Sequence, residues 1–324
     1  MGKLLIAFCG NHRLDCPEKD RFTSECHIAT TLEQMGHAVL RLQEHKVSQA
    51  DIMAACRGAD FFLWVKTAQW LKCNAFELLK RLTIPTVGLH ADLWWGLERE
   101  REIRTSPFFK CKYVFTADGG SQDKFKAAGV NHFWLRPGVL KSECYIAEPR
   151  QDLLTDIGFC GSRNYHKEHY RTQMIDWMRD QYGSHFRLFG ANGDSWRGND
   201  LNQLYRSVKV IVGDSCFAGR CRNYVSDRLY ESCGRGAALV FPHIEGIAQD
   251  YTHGTHLFYY QPCNFDDLHQ AICTMLALPE EKRLEMRKAA IAHTLANHTW
   301  NHRMAEMLGV IAQQEPEIAA RLAE

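Results

Sequence analysis

The chain has 324 residues, 45% of them hydrophobic and 24% charged, with a formal net charge of +1. That length and apolar content suit two domains of ordinary size and exclude a disordered chain. The balanced charge excludes a strongly basic nucleic-acid binder and an acidic tail protein, although the first half is mildly basic.

The 13 cysteines form an odd count with no Cys-x-x-Cys pair, and Cys9, Cys160 and Cys233 lie in apolar or glycine-rich surroundings. They read as reduced thiols of a cytoplasmic protein. The opening MGKLLIAFCGNHR is too short to span a membrane and resembles no signal sequence. Ile6 stands where a myristoylation signal on Gly2 needs Ser or Thr.

In chain order, Leu4–Cys9 is an apolar run that reads as a buried strand closed by Gly10. Glu25–Gly36 reads as a helix, with Ile28, Leu32 and Met35 on one face and Gly36 as its C-terminal cap. Strands at 37–42, 60–65, 85–89, 113–116 and 133–135 alternate with helices at 49–57, 75–82 and 121–128. Such alternation predicts a parallel sheet covered on both faces. Arg136–Asp152, with two prolines, a glycine and scattered charges, reads as an interdomain linker.

The pattern then restarts. Ile157–Cys160 is a strand closed by Gly161, and further strands are expected at 186–189, 210–212, 237–241 and 257–260. Helices are expected at 170–182, 202–208, from 228, at 265–276, at 279–297 and over 299–323. The fold class is therefore α/β: two doubly wound, Rossmann-like domains. Ligands of such sheets bind in the loops after the strands, and two facing sheets would form a cleft.

Three such loops stand out in the second half. Gly161-Ser162-Arg163 offers a close backbone approach and a guanidinium for phosphate, or simply a tight turn with a solvated arginine. In Tyr224-Val225-Ser226-Asp227-Arg228-Leu229-Tyr230-Glu231, Ser226 or Asp227 can cap a helix starting at Arg228. Glu231, one turn on, can accept from two ribose hydroxyls, or pair with Arg228 on the surface. The loop Pro242–Gly246 presents Glu245 and Gly246 to sugar hydroxyls, or is a plain loop.

In the first half, Gly10-Asn11-His12-Arg13 follows strand one and His90-Ala91-Asp92 follows strand four. His90 or Asp92 can act as general base or orient an acceptor hydroxyl, and Asp92 can equally cap a helix carrying Leu93–Arg101. Asn11, His12 and Trp94 are the acceptor-binding candidates; Trp94 and Trp95 read as a sugar platform or as packing.

The runs DIGFCGSR, LYRSVKVIV, SDRLYESCGRGAALVFPHIEGI, HLFYYQPCNFDDL and HTLANHTWNHRMAEML resemble, in order and spacing, the C-terminal domain of group-1 glycosyltransferases of GT-B architecture, nearest the spore-maturation-protein-like branch. The likeness covers about residues 155–310; the first half matches by pattern alone. It implies an acceptor domain over 1–140, a donor domain over 150–299, and a final helix at about 300–324 crossing back onto the first domain.

It also implies that Arg163 contacts the donor diphosphate with Arg228 nearby, that Glu231 binds the ribose, that Glu245 and Gly246 line the sugar or diphosphate pocket, and that Gly190 lies near the base. Relatives with two glutamates eight positions apart match at Glu231 but not at Asn223. Retention is thus expected by family analogy alone.

No Asp-x-Asp motif or zinc-spaced cluster occurs, so neither a metal nor another cofactor is expected; the co-substrate would be a UDP- or GDP-linked sugar. The acceptor is open among a glycan, a small molecule and a hydroxymethylated base in DNA. A non-catalytic sugar-nucleotide-binding protein is the remaining alternative. A Rossmann dehydrogenase is disfavoured because no G-x-G-x-x-G follows either first strand.

Overall fold

A computed structural model describes residues 2–66, 71, 73–163, 170–190, 195–215 and 217–324. The chain divides into two compact units, one of residues 1–136 with 300–324 and the other of residues 137–299.

The first unit carries six strands: β1 Leu5–Gly10, β2 Ala38–Gln43, β3 Phe61–Val65, β4 Thr86–His90, β5 Tyr113–Thr116 and β6 His132–Trp134. All pair in parallel, in the order β2-β1-β3-β4-β5-β6. The central strands are mostly apolar because both of their faces are covered, and every residue of β3 and β4 is buried, Thr86 and His90 included.

Helices α1 (Ser24–Gln34), α2 (Gln49–Cys56), α3 (Ala75–Arg81), α4 (Glu102–Thr105) and α5 (Gln122–Ala127) connect them. Thr23 caps α1 by accepting from the Cys26 amide, and Ser48 and Asp51 form a capping box at α2. Leu93–Arg101, expected as one helix, is instead a loop and a 3-10 turn, Glu98–Arg101, leading into α4.

The second unit carries β7 Thr155–Cys160, β8 Phe186–Phe189, β9 Val208–Val212, β10 Leu239–Pro242 and β11 Phe258–Tyr260, parallel in the order β11-β10-β9-β7-β8. Its helices are α6 Arg171–Tyr182, α7 Gly198–Ser207, α8 Arg228–Gly234, α9 Phe265–Ala277 and α10 Glu280–Asn297. The direction of winding reverses between β7 and β9. Their carboxyl ends are therefore where a ligand of this fold belongs.

Residues 137–153 are not a free linker. Val139 is buried and bridges to Thr299, and the carbonyls of Glu143 and Tyr145 accept from Asn202 Nδ2 at 2.9 and 3.0 Å. The segment is tied down through its backbone, while Lys141, Ser142, Glu148 and Asp152 stay exposed.

The tail forms α11 Trp300–Gln314 and α12 Pro316–Ala323 in the first unit. Trp300, Met304, Met307, Leu308 and Ile311 share one core with Leu4, Ile6, Phe8, Ile28 and Leu32. The helix breaks at Glu315 because Pro316 cannot donate into a preceding turn but is well suited to start the next. Tyr113 Oη donates to Glu315 at 2.6 Å and fixes that break on β5.

Candidate active site

The carboxyl end of β7 is organised around Arg228, the first residue of α8. Its Nη1 donates to the Cys160 carbonyl. Gly161 has φ of +142°, and a Cβ there would lie 2.8 Å from Arg228 Nη2. A glycine is thus needed both for the backbone conformation and for the guanidinium to lie against the strand end. Burial pushes the adjacent Cys160 thiol up to about 11, which keeps it neutral beside Arg228.

Glu231 follows one turn later on α8 with its side chain 25% exposed, and Arg235 Nη2 stands 3.4 Å from its Oε1. Arg235 itself is 1% exposed. It donates to Glu143, to Asn202 Oδ1 at 2.7 Å and to the Gly198 carbonyl at 3.1 Å. The buried guanidinium orients the half-open carboxylate, which stays available on its other edge to accept hydrogen bonds. Arg235 is not among the residues expected at the site, although its place four residues after Glu231 is a visible signal in the sequence.

The loop after β9 is equally fixed. Asp214 pairs with Arg171 at 2.7 Å, both of them buried, and Ser215 Oγ accepts from the Ser226 amide at 3.0 Å. Tyr224 is buried. Asp227 occupies the N-cap position of α8 without a side-chain cap bond, and Ser226 Oγ is buried with no hydrogen-bond partner among the described residues. The expected capping role of Ser226 or Asp227 is therefore not taken up.

Arg163 is not turned to an open site. Its Nε donates to Asp176 Oδ1 of α6 at 3.0 Å, and Nη2 bonds to the second carboxylate oxygen. Ser162 is exposed beside it. Gly190 ends β8 with φ of +88°.

Glu245 is paired with Arg222 and its carbonyl accepts from the Asn223 amide at 2.9 Å. Asn223, with φ of +56°, lies directly against Gly246. Asparagine tolerates this left-handed conformation better than glutamate does, which accounts for the residue found at this departure from the family pattern.

In the first unit, His90 ends β4 almost fully buried. Its Nδ1 lies 2.6 Å from the Lys66 carbonyl, which assigns the proton to Nδ1, and Arg99 Nη1 is 3.3 Å from Nε2. Burial pushes its pKa down to about 4, with Arg99 adding and Asp92 opposing. Asp92 is the accessible member, 3.7 Å from His90 Nε2 and 3.8 Å from Arg99.

Asp92 does not cap a helix. Asp118, after β5, instead accepts from the amides of Trp94 and Trp95 at 2.8 and 2.9 Å. Trp94 is 0% exposed, stacked on Phe108 and flanked by Lys66 and Arg99. Full burial rules it out as an exposed sugar platform. His12 is likewise buried, with Nε2 3.1 Å from the Phe8 carbonyl. Asn11 is partly exposed and accepts from Gln43 at 3.0 Å.

Beside it, Glu25 is buried, with Oε1 lacking a hydrogen-bond partner among the described residues. Burial pushes its carboxyl up to about 7. No sequence signal pointed to Glu25, because an acidic residue in a first helical turn is ordinary.

Among the described residues, no three His, Cys, Asp or Glu side chains converge as a metal site, and no helix is long and apolar enough to cross a membrane.

Two Rossmann-like parallel units in one chain are the architecture of the GT-B fold. Residues 168–309 match the family model described as glycosyl transferase-like. The chain is similar in fold to a glycosyltransferase from Rickettsia africae (13% identity, TM-score 0.64, 96% of this chain and 98% of that one). It is also similar to the Anabaena protein HepE solved with UDP and glucose (13%, 0.59, 96% and 100%). A third likeness is to an alpha-glucosyltransferase solved with UDP and DNA containing an HMU base (10%, 0.67, 96% and 100%). None of the curated proteins compared matches the chain in sequence.

Proposed function

We propose that the protein transfers a sugar from a UDP-linked donor to an acceptor hydroxyl, with retention and without a metal. The observation that carries this reading is Glu231, half-open and held from behind by buried Arg235, one turn from Arg228 at the end of β7. A carboxylate so placed accepts from a ribose diol, while Arg228 and the Gly161 backbone meet the phosphates. Arg228 takes up the charge that develops on the departing diphosphate, the task a metal performs elsewhere. Arg163 joins it only by exchanging Asp176 for phosphate. UDP is favoured over GDP because two of the similar structures were solved with UDP.

On the acceptor side, Asp92 is the group that orients or deprotonates the hydroxyl. His90, buried and bonded through both ring nitrogens, positions Asp92 and Arg99.

The test is a thermal-shift and transfer assay with UDP- and GDP-sugars on the wild type and on Glu231→Ala. A UDP-sugar that stabilises the wild type alone, and is consumed by it, supports the reading; the anomeric configuration of the product reports retention. No stabilisation by any sugar nucleotide would sink it. The DNA-bound neighbour favours one second acceptor reading, a hydroxymethylated pyrimidine in DNA. Duplexes with and without that base, offered as acceptors, test it.

A further inference from the structure

The second unit has another polar concavity, at the opposite end of its sheet from the donor loops. Asp156 lies near the start of β7 and Lys209 near the start of β9. Together with His185, Arg206, Glu280 and Arg287 they line a cavity of about 550 Å³, a volume in the range that holds small ligands.

Arg287, on α10, is fully buried. Its Nη1 donates to the carbonyls of Tyr205 and Gly236 at 2.7 and 2.5 Å, and its Nη2 to that of Val208 at 2.8 Å. Its Nε is buried without a hydrogen-bond partner among the described residues. Carbonyls supply only partial negative charge, so this cation stays under-compensated. Burial pushes its pKa down to about 9, with Arg206 adding to the effect.

Around it, Arg206 pairs with Glu280 at 2.7 Å and Lys209 with Asp156 at 2.7 Å. Arg283 shares Glu280 at 3.0 Å, and His185 shares Asp156 at 2.6 Å. Four permanent cations thus meet two carboxylates, leaving an excess of positive charge beside a buried guanidinium.

We propose that this cavity binds a phosphoryl-bearing small anion, at a site separate from the donor site and independent of the function proposed above. Arg206 and Lys209 would turn from their carboxylates to the ligand, and its charge would offset Arg287. β7 and β9 run from this cavity to the loops of Gly161 and Asp214, so occupancy has a direct route to the donor end of the sheet.

The test is thermal unfolding with inorganic phosphate, and separately with a phosphate monoester. Chloride at equal ionic strength is the reference, because phosphate also stabilises proteins by exclusion from their surfaces. Expected is a saturable Tm rise of roughly 2–5 °C that is lost in the Arg206→Ala, Lys209→Ala double variant and kept in Arg228→Ala. Should the double variant not fold, Lys209→Gln replaces it. Absence of a saturable rise, or any other pattern across the variants, including loss in Arg228→Ala, overturns the proposal.

Discussion

Arg235 holds Glu231 from behind while bonding to Glu143, so one buried guanidinium joins the segment after the first unit to the helix that carries the ribose-binding candidate. Removing it strands two carboxylates. Arg235→Ala should cost on the order of 3–5 kcal/mol of stability in the second unit and weaken UDP-sugar binding. Glu231→Gln should weaken binding with a far smaller change in Tm. Calorimetry and denaturation on both variants check this; equal Tm losses would remove the distinction between holder and contact.

Arg228 and Arg163 should separate. Arg228→Ala is expected to weaken donor binding by about 10- to 100-fold, in keeping with loss of a charge-assisted phosphate contact. Asp176→Ala should release Arg163 from that ion pair and leave donor affinity unchanged or tighter. If Asp176→Ala weakens binding as much as Arg228→Ala does, the ion pair itself shapes the site.

Asp92→Asn should lower kcat by about 10²- to 10⁴-fold if Asp92 acts as the base, with Tm within about 1 °C, since the side chain is half exposed. Trp94→Ala should instead cost about 3–5 kcal/mol of stability, because that ring is fully buried between Phe108 and Phe109. A Trp94→Ala variant of unchanged Tm and raised acceptor KM would return Trp94 to the acceptor site.

The pH dependence of the first unit contains opposing contributions. Burial pushes His12 and His90 down to about 4 and His132 down to about 3, whereas unfolded imidazoles protonate near 6.5. The stability these groups contribute is whole above that value and drains away as pH falls towards 4 and below. Glu25 runs the other way: raised to about 7, its contribution is whole below about 4.5 and is lost as pH rises through 7. Glu25→Gln should therefore gain on the wild type by on the order of 3 kcal/mol between pH 5 and pH 8. Tm measured against pH for the two proteins decides it; parallel curves would mean that Glu25 is already ionised in the folded state.

The architecture was legible in the sequence because short apolar runs such as Phe61–Val65 and Leu239–Phe241 alternate with helical segments, as in a doubly covered parallel sheet. The blocks around Gly161 and Glu231 stood out as candidates, because they combine glycine, guanidinium and carboxylate near strand ends. What escaped were properties of burial and pairing that spacing does not carry. Trp94 looks the same in sequence whether it lines a surface or a core. Arg163 gives no sign of Asp176, thirteen residues away. Arg136–Asp152 read as a linker because its bonds to Asn202 and Arg235 come from distant residues.

The first unit is assembled from two stretches of chain, with Trp300, Met304 and Leu308 completing the core begun by Leu4 and Ile6. During synthesis the six strands of that unit emerge long before the helix that covers one of their faces. Throughout the making of the second unit, only α1 covers that face from within its own chain, and the part that α11 will fill stays open. Domains commonly fold in order from the N-terminus as they are made; here the earlier-made sheet must wait for the later one, and the nascent protein carries an uncovered apolar surface that a chaperone is suited to shield.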